Sequence, residues 1–229
     1  MRTPVVDYRK LRLNNIHTPE YSHLLLLLGW VAYFLMYAIT ENLIPAENCT
    51  VIHCWLDDVI PFMEIFVIPY VMWYLLIVVS LGYFALYNID SFKKLQIFII
   101  IVQALAMVVY IVFPNRQDLR PEVFPRDNLL TDLVNLLYTV DTNTNVCPSC
   151  HVAYSVGIAS VWLKEQGVSK WIKAGVVVLV ILICAATCFI KQHSAVDFFA
   201  ALPVCLVAEL VLYWKSYWKP RLFGKKNAA

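Results

Sequence analysis

Residues 95–113 read LQIFIIIVQALAMVVYIVF, nineteen positions without a charge. A bilayer core roughly 30 Å thick takes about 20 apolar residues to cross as a helix, so this run reads as a membrane span. The composition agrees: 61% of the 229 residues are hydrophobic, 15% are charged and the mean hydropathy is +0.67. A soluble domain carries roughly 25% charged residues.

Working outward, five more apolar stretches join the first, at 23–44, 61–87, 149–165, 171–190 and 195–216. The expected architecture is an all-α integral membrane protein, a six-span transmembrane helix bundle occupying 23–216, with an N-terminal segment at 1–22 and a basic tail at 217–229. Pro69 and Pro203 fall within the second and sixth stretches and are expected to kink those helices without ending them. The run behind Arg2, Arg9, Lys10 and Arg12 is too long for a signal-peptide core and no A-x-A-like site follows it, so the first span is read as retained.

Lysine and arginine set the orientation. With the N-terminus inside, fourteen of the eighteen basic residues fall in cytoplasmic segments. Only Arg116, Arg120, Arg126 and Lys191 remain for the opposite face. The positive-inside rule therefore places both termini in the cytoplasm. The net charge of +2 is spread in short clusters, which suggests no nucleic-acid surface.

Most connections are short. The third, 114–148, is long and on the outer face, where binding and catalytic residues tend to lie. Inside it Leu129, Leu130, Leu133, Leu136 and Leu137 recur at one-turn spacing behind Asp127 and Asn128, the pattern of a short amphipathic helix lying at the interface. Cys49 and Cys54 share the first outer loop and could pair there, whereas Cys184, Cys188 and Cys205 read as buried apolar residues.

Chemistry-bearing side chains gather at the outer helix ends. Arg120 and Pro121 follow the third span, Ser149 and His151 open the fourth, and His193 and Asp197 stand between the fifth and sixth. In CPSCH, residues 147–151, Pro148 suits the first turn of a helix and Ser149 is a favoured cap. The free N–H groups of such a start form an anion site within reach of His151. His193 and Asp197 are four residues apart, so on a helix they share a face; a carboxylate on one ring nitrogen leaves the other as nucleophile or base. His17, His23 and His53 show no such partner and read as interfacial.

Taken together, LRPEV, CPSCHVAYS and IKQHSAVDFFAA resemble the three motifs of the type 2 phosphatidic acid phosphatase superfamily, K-x6-R-P, P-S-G-H and S-R-x5-H-x3-D. NRQDLRPEV, TNTNVCPSCHV and IKQHSAVDF are more closely similar to a bacterial membrane branch of it, which implies a bacterial plasma membrane. The resemblance implies that His193 attacks phosphorus and forms a phosphohistidine, that Asp197 orients it, and that His151 protonates the leaving oxygen. Arg120, Ser149 and the start of the fourth helix would bind the phosphoryl oxygens, and water would resolve the intermediate, with no metal or cofactor. The implied substrate is a membrane lipid phosphate or pyrophosphate; a lipid hydroxyl in place of water would make the chain a phosphotransferase like the related sphingolipid synthases. Two motif cations are missing, because Phe113 stands where the family has Lys and Thr187 where it has Arg. Arg116 and Lys191 are the candidates to replace them.

Three rival readings remain. Cys147 and Cys150 form a C-x-x-C, as in membrane thiol-disulfide oxidoreductases; CPSCH also fits the C-x-x-C-H haem attachment pattern; and Glu64, Gln103 and Glu209 could mark a polar transport path.

Overall fold

The computed structural model describes residues 3–223, so Arg2, Lys225 and Lys226 of the basic clusters lie outside the described residues. A 3-10 turn over Ser22–Leu27 leads into α1, Leu28–Leu43. Then come β1 (Thr50–Val51), the short α2 (Trp55–Val59), α3 (Val67–Tyr87), α4 (Ile89–Val112) and β2 (Asn115–Arg116). α5 (Leu129–Val140), α6 (Cys150–Lys164), α7 (Lys170–Phe189) and α8 (Ala195–Tyr213) follow, and a π turn joins α8 to α9 (Lys219–Phe223).

Five helical stretches are long and apolar enough to cross a membrane: Ser22–Leu43, Glu64–Tyr87, Ile89–Val112, Lys170–Phe189 and Ala195–Phe223. The stretch expected as the fourth span, 149–165, is the exception. Its helix α6 has 15 residues. At 1.5 Å per residue that is about 22 Å, short of the roughly 30 Å of a hydrocarbon core. α6 is instead the inner helix, packed against α3, α4, α7 and α8, with His151, Tyr154, Gly157, Ile158 and Trp162 all buried. Gly157 permits a close approach to α4: a Cβ there would stand 2.5 Å from the Phe98 ring. Overpacking of that kind costs about 1–3 kcal/mol. Trp162 Nε1 donates to Ser80 Oγ at 2.9 Å, so α6 and α3 also share a satisfied polar contact inside the core.

The prolines behave differently from one another. Pro69 lies in the first turn of α3, where its missing N–H has no helical acceptor to lose, and the expected kink has no cause there. Pro203 sits within α8, which continues past it to Tyr213.

The amphipathic segment of the long connection does form a helix, α5. Asn128 caps it by accepting from the N–H groups of Leu130 and Thr131. Val134, Leu130, Leu137 and Tyr138 pack on Val67, Tyr70, Ala186 and Ile190, while Leu129 and Leu136 stay exposed. Glu64 ties the connection down, accepting from Arg126 Nε and Nη2 at 2.6 Å each and from Asn128 Nδ2 at 3.1 Å. Glu209, at the other end of the bundle, pairs with Lys164 at 2.8 Å. Both carboxylates therefore brace helix ends.

Candidate active site

The start of α6 is set by Asn115, which is fully buried. Its Oδ1 accepts from the N–H groups of Val146 and Cys147 at 3.0 and 2.8 Å, and its Nδ2 donates to the Cys147 carbonyl at 3.0 Å. The segment before CPSCH is thus held by one side chain, and Ser149 becomes the N-cap of α6, its Oγ accepting from Val152 N–H. The Ser149 N–H donates to the Asp197 carbonyl at 3.2 Å, which joins the beginnings of α6 and α8.

His193 is not on a helix. α7 closes with the N–H groups of Gln192 and His193 both donating to the Thr187 carbonyl, Lys191 in the left-handed region at φ 54°, and Ser194 as N-cap of α8. Asp197 is the third residue of α8 and accepts from Ser194 N–H at 3.0 Å, a reciprocal capping box. The same Oδ2 lies 3.2 Å from His193 Nδ1, which also faces the Val146 carbonyl at 3.1 Å. Both partners accept, so Nδ1 carries the proton and the lone pair is left on Nε2. That atom lies 3.4 Å from His151 Nδ1. His151 is held by stacking, its ring 4.0 Å from that of Trp73 and 4.4 Å from that of Tyr70.

Asp57, in α2, supports this turn. Its Oδ2 accepts from Ser194 Oγ at 2.6 Å and from Cys54 N–H at 2.8 Å, and its Oδ1 accepts from Ala195 N–H at 2.8 Å. Burial pushes the carboxyl pKa up, but these hydrogen bonds outweigh it and hold the group below the usual aspartate value.

The four phosphate-binding candidates are not brought to the imidazoles in the same way. Arg120 donates to the carbonyls of Tyr138 and Asp141 at 3.0 and 2.5 Å and to Gln192 Oε1 at 3.0 Å, with its guanidinium 4.4 Å from the centre of the Tyr138 ring. It braces the C-terminus of α5 against the residue next to His193. Lys191 donates to the carbonyls of Asp57 and Ile60, and Arg116 to Asp118 and the Ala46 carbonyl. Both are committed to holding loops. Thr187, where the resemblance leads one to expect Arg, is fully buried with its hydroxyl bonded to the Cys184 carbonyl, and Phe113 caps the end of α4.

A cavity of about 480 Å³ opens beside the two imidazoles and is lined by both. It runs between α1 and α3 from Glu41, Asp141 and Thr144 at the loop end to Trp30 and Leu81 among the apolar helices. From Trp30 to Glu41 this is about 16 Å at 1.5 Å per helical residue. None of the described residues that line it is a lysine or arginine.

Burial together with the neighbouring Asp197 pushes Cys147 up to about 12, whereas an exchanging thiol needs thiolate near neutral pH. Among the described residues no group of three or more His, Cys, Asp or Glu side chains is placed to hold a metal ion. Comparisons with family models, with curated proteins and with solved structures found no match for this chain.

Proposed function

We propose that the chain is a membrane enzyme that cleaves a lipid phosphoester through a phosphohistidine on His193. The observation that carries this reading is the arrangement of one imidazole with Nδ1 pinned by Asp197 and Val146 and Nε2 turned toward a second imidazole, at the wall of a cavity that runs from two carboxylates to the apolar helices. His193 Nε2 attacks phosphorus, and Asp197 stabilises the positive ring that forms. His151, displaced from its contact with Nε2 by the incoming phosphoryl group, donates a proton to the leaving oxygen. Water then attacks the phosphohistidine, giving its proton to His151 as the P–N bond to Nε2 breaks, which releases phosphate and restores both imidazoles. Arg120 acts as a positioning residue through Gln192, and Asp57 through Ser194.

In this reading α6 counts as the sixth, short member of the bundle, α5 lies along the membrane surface with Leu129 and Leu136 toward lipid, and the site faces the outside of a bacterial plasma membrane. Support comes from the distribution of lysine and arginine and from the exposed leucines of α5.

The lining of the cavity favours a second form of the same chemistry. Two carboxylates and no cation oppose a phosphomonoester or pyrophosphate, which carries roughly two or more negative charges, more strongly than a phosphodiester, which carries about one. A diester donor whose phosphorylated headgroup passes to a lipid hydroxyl, in place of water, suits this lining. Purified protein in vesicles, supplied with phosphatidate, a lipid pyrophosphate and phosphodiester lipids, separates the two forms by product. Diester turnover exceeding monoester turnover is expected, and Cys147→Ser should keep activity within about threefold of wild type. Inactivity on every lipid phosphoester, or a dead Cys147→Ser alongside an active His193→Ala, refutes the phosphohistidine reading and returns the site to thiol chemistry.

A further inference from the structure

We propose that the end of the bundle opposite the imidazoles binds the phosphate of an anionic phospholipid, at a cation cluster formed by Lys94, Lys164 and Arg221. The inference stands apart from the lipid phosphoester reading, because Lys164 closes α6 about 20 Å from His151 at 1.5 Å per helical residue. Three elements bring the cluster together. Lys94 lies in the second turn of α4, Lys164 is the last residue of α6, and Arg221 belongs to α9, beyond the π turn. Two phenol rings hold them. Lys94 Nζ and Lys164 Nζ stand 5.1 and 4.3 Å from the centre of the Tyr213 ring, and Lys164 Nζ and the Arg221 guanidinium stand 4.9 and 3.5 Å from the centre of the Tyr217 ring. Like charges gathered this closely repel one another, and a shared anion relieves that repulsion.

The neighbouring carboxylates offset only part of this charge. Glu209 is committed to Lys164 at 2.8 Å and also accepts from Ser160 Oγ and Trp218 Nε1 at 2.6 and 2.7 Å. Glu165 accepts from Asn88 Nδ2 and Ser91 Oγ at the start of α4. Among the described residues neither Lys94 nor Arg221 is ion-paired, and Arg221 donates to the Tyr217 carbonyl at 3.3 Å. Lys93, Lys215 and Lys219 add positive charge along the same segments, against Asp90. The setting selects a lipid as the source of the anion. α4 and α8 belong to stretches long and apolar enough to cross a membrane, and the cluster lies where α4 begins and α8 ends. Trp214, Tyr217 and Trp218 form the π turn beside it, residue types that settle at headgroup level, and short π segments recur at functional sites. A guanidinium and an ammonium suit phosphate oxygens, and the exposed Leu222 and Phe223 offer acyl chains an apolar surface.

Native mass spectrometry of the full chain, purified in a neutral maltoside detergent, follows the binding of dioleoylphosphatidylglycerol and dioleoylphosphatidylcholine across a titration of each. Phosphatidylglycerol is expected to bind about tenfold more tightly than phosphatidylcholine. Lys94→Gln and Arg221→Gln should each weaken phosphatidylglycerol about fivefold, whereas Lys170→Gln, which removes a cation outside the cluster, should change its affinity by less than about twofold. Arg221 is exposed, so its variant keeps the comparison sound even if Lys94→Gln unfolds. Equal affinity for the two lipids overturns the proposal, as does an equal loss from Lys170→Gln and Arg221→Gln, which would show a diffuse positive surface in place of a site. Full competition by millimolar inorganic phosphate would assign the cluster to a soluble anion. Phosphatidylglycerol binding that survives both cluster substitutions would place the lipid elsewhere on the chain and overturns the proposal as well.

Discussion

His193→Ala is expected to lower lipid phosphoester turnover by at least about 10⁴-fold, to the background of the assay, because the atom that bonds to phosphorus is gone. The fold should survive it. Within the turn His193 contributes a main-chain N–H to Thr187 and a ring N–H to Val146 and Asp197, and Asp197 retains its bond from Ser194. Unfolding temperature and the binding of lysophospholipid should therefore stay close to wild type while product formation vanishes. His193→Gln, which can place an amide N–H near Asp197 but offers no nucleophile, is expected to be equally inactive. Steady turnover by either variant in purified, reconstituted form would remove His193 from the chemistry.

His151→Ala is the second large loss, about 10²- to 10⁴-fold for a lipid leaving group. The ring packs on Trp73 and Tyr70 with Nδ1 toward His193, so it is placed to give a proton. A proton donor matters in proportion to the basicity of the oxygen that leaves. With a nitrophenyl ester of the same headgroup phosphate, which leaves as a weak base, the loss should shrink to less than about tenfold. A uniform loss on both substrates would assign His151 to binding.

Both imidazoles and their carboxylate were legible in the sequence, although not for the reason the spacing suggested. His193 and Asp197 meet because Asp197 is the third helical residue of a capping box opened by Ser194, with His193 in the turn before it. The S-x-x-D pattern of residues 194–197 was open to reading as that box. The cations were harder to place, because a motif gives a residue its position and not its partners. Arg120 is drawn to the carbonyl end of α5, and Lys191 to the end of α2, contacts that arise only when segments distant in sequence pack. Asp57 and Asn115 escaped notice for the same reason: nothing beside either in sequence announces the turn it holds. The aromatic wall had a local trace, since Trp30, Tyr33 and Tyr37 recur at helical spacing, but such a stripe is indistinguishable from lipid-facing packing until α3 is placed opposite it. Counting spans from apolar length diverges from the structure only at α6, which is shorter than a hydrocarbon core and packs among α3, α4, α7 and α8.

The central claim is that phosphorus becomes bonded to one imidazole nitrogen. Wild-type protein in vesicles is mixed for milliseconds with a phospholipid carrying labelled phosphorus, quenched in alkali and digested. A label that is stable to base, lost in acid and confined to the peptide containing His193 is expected. Product formation with no labelled protein at any time, or a label on Ser149 or Cys147, would contradict it.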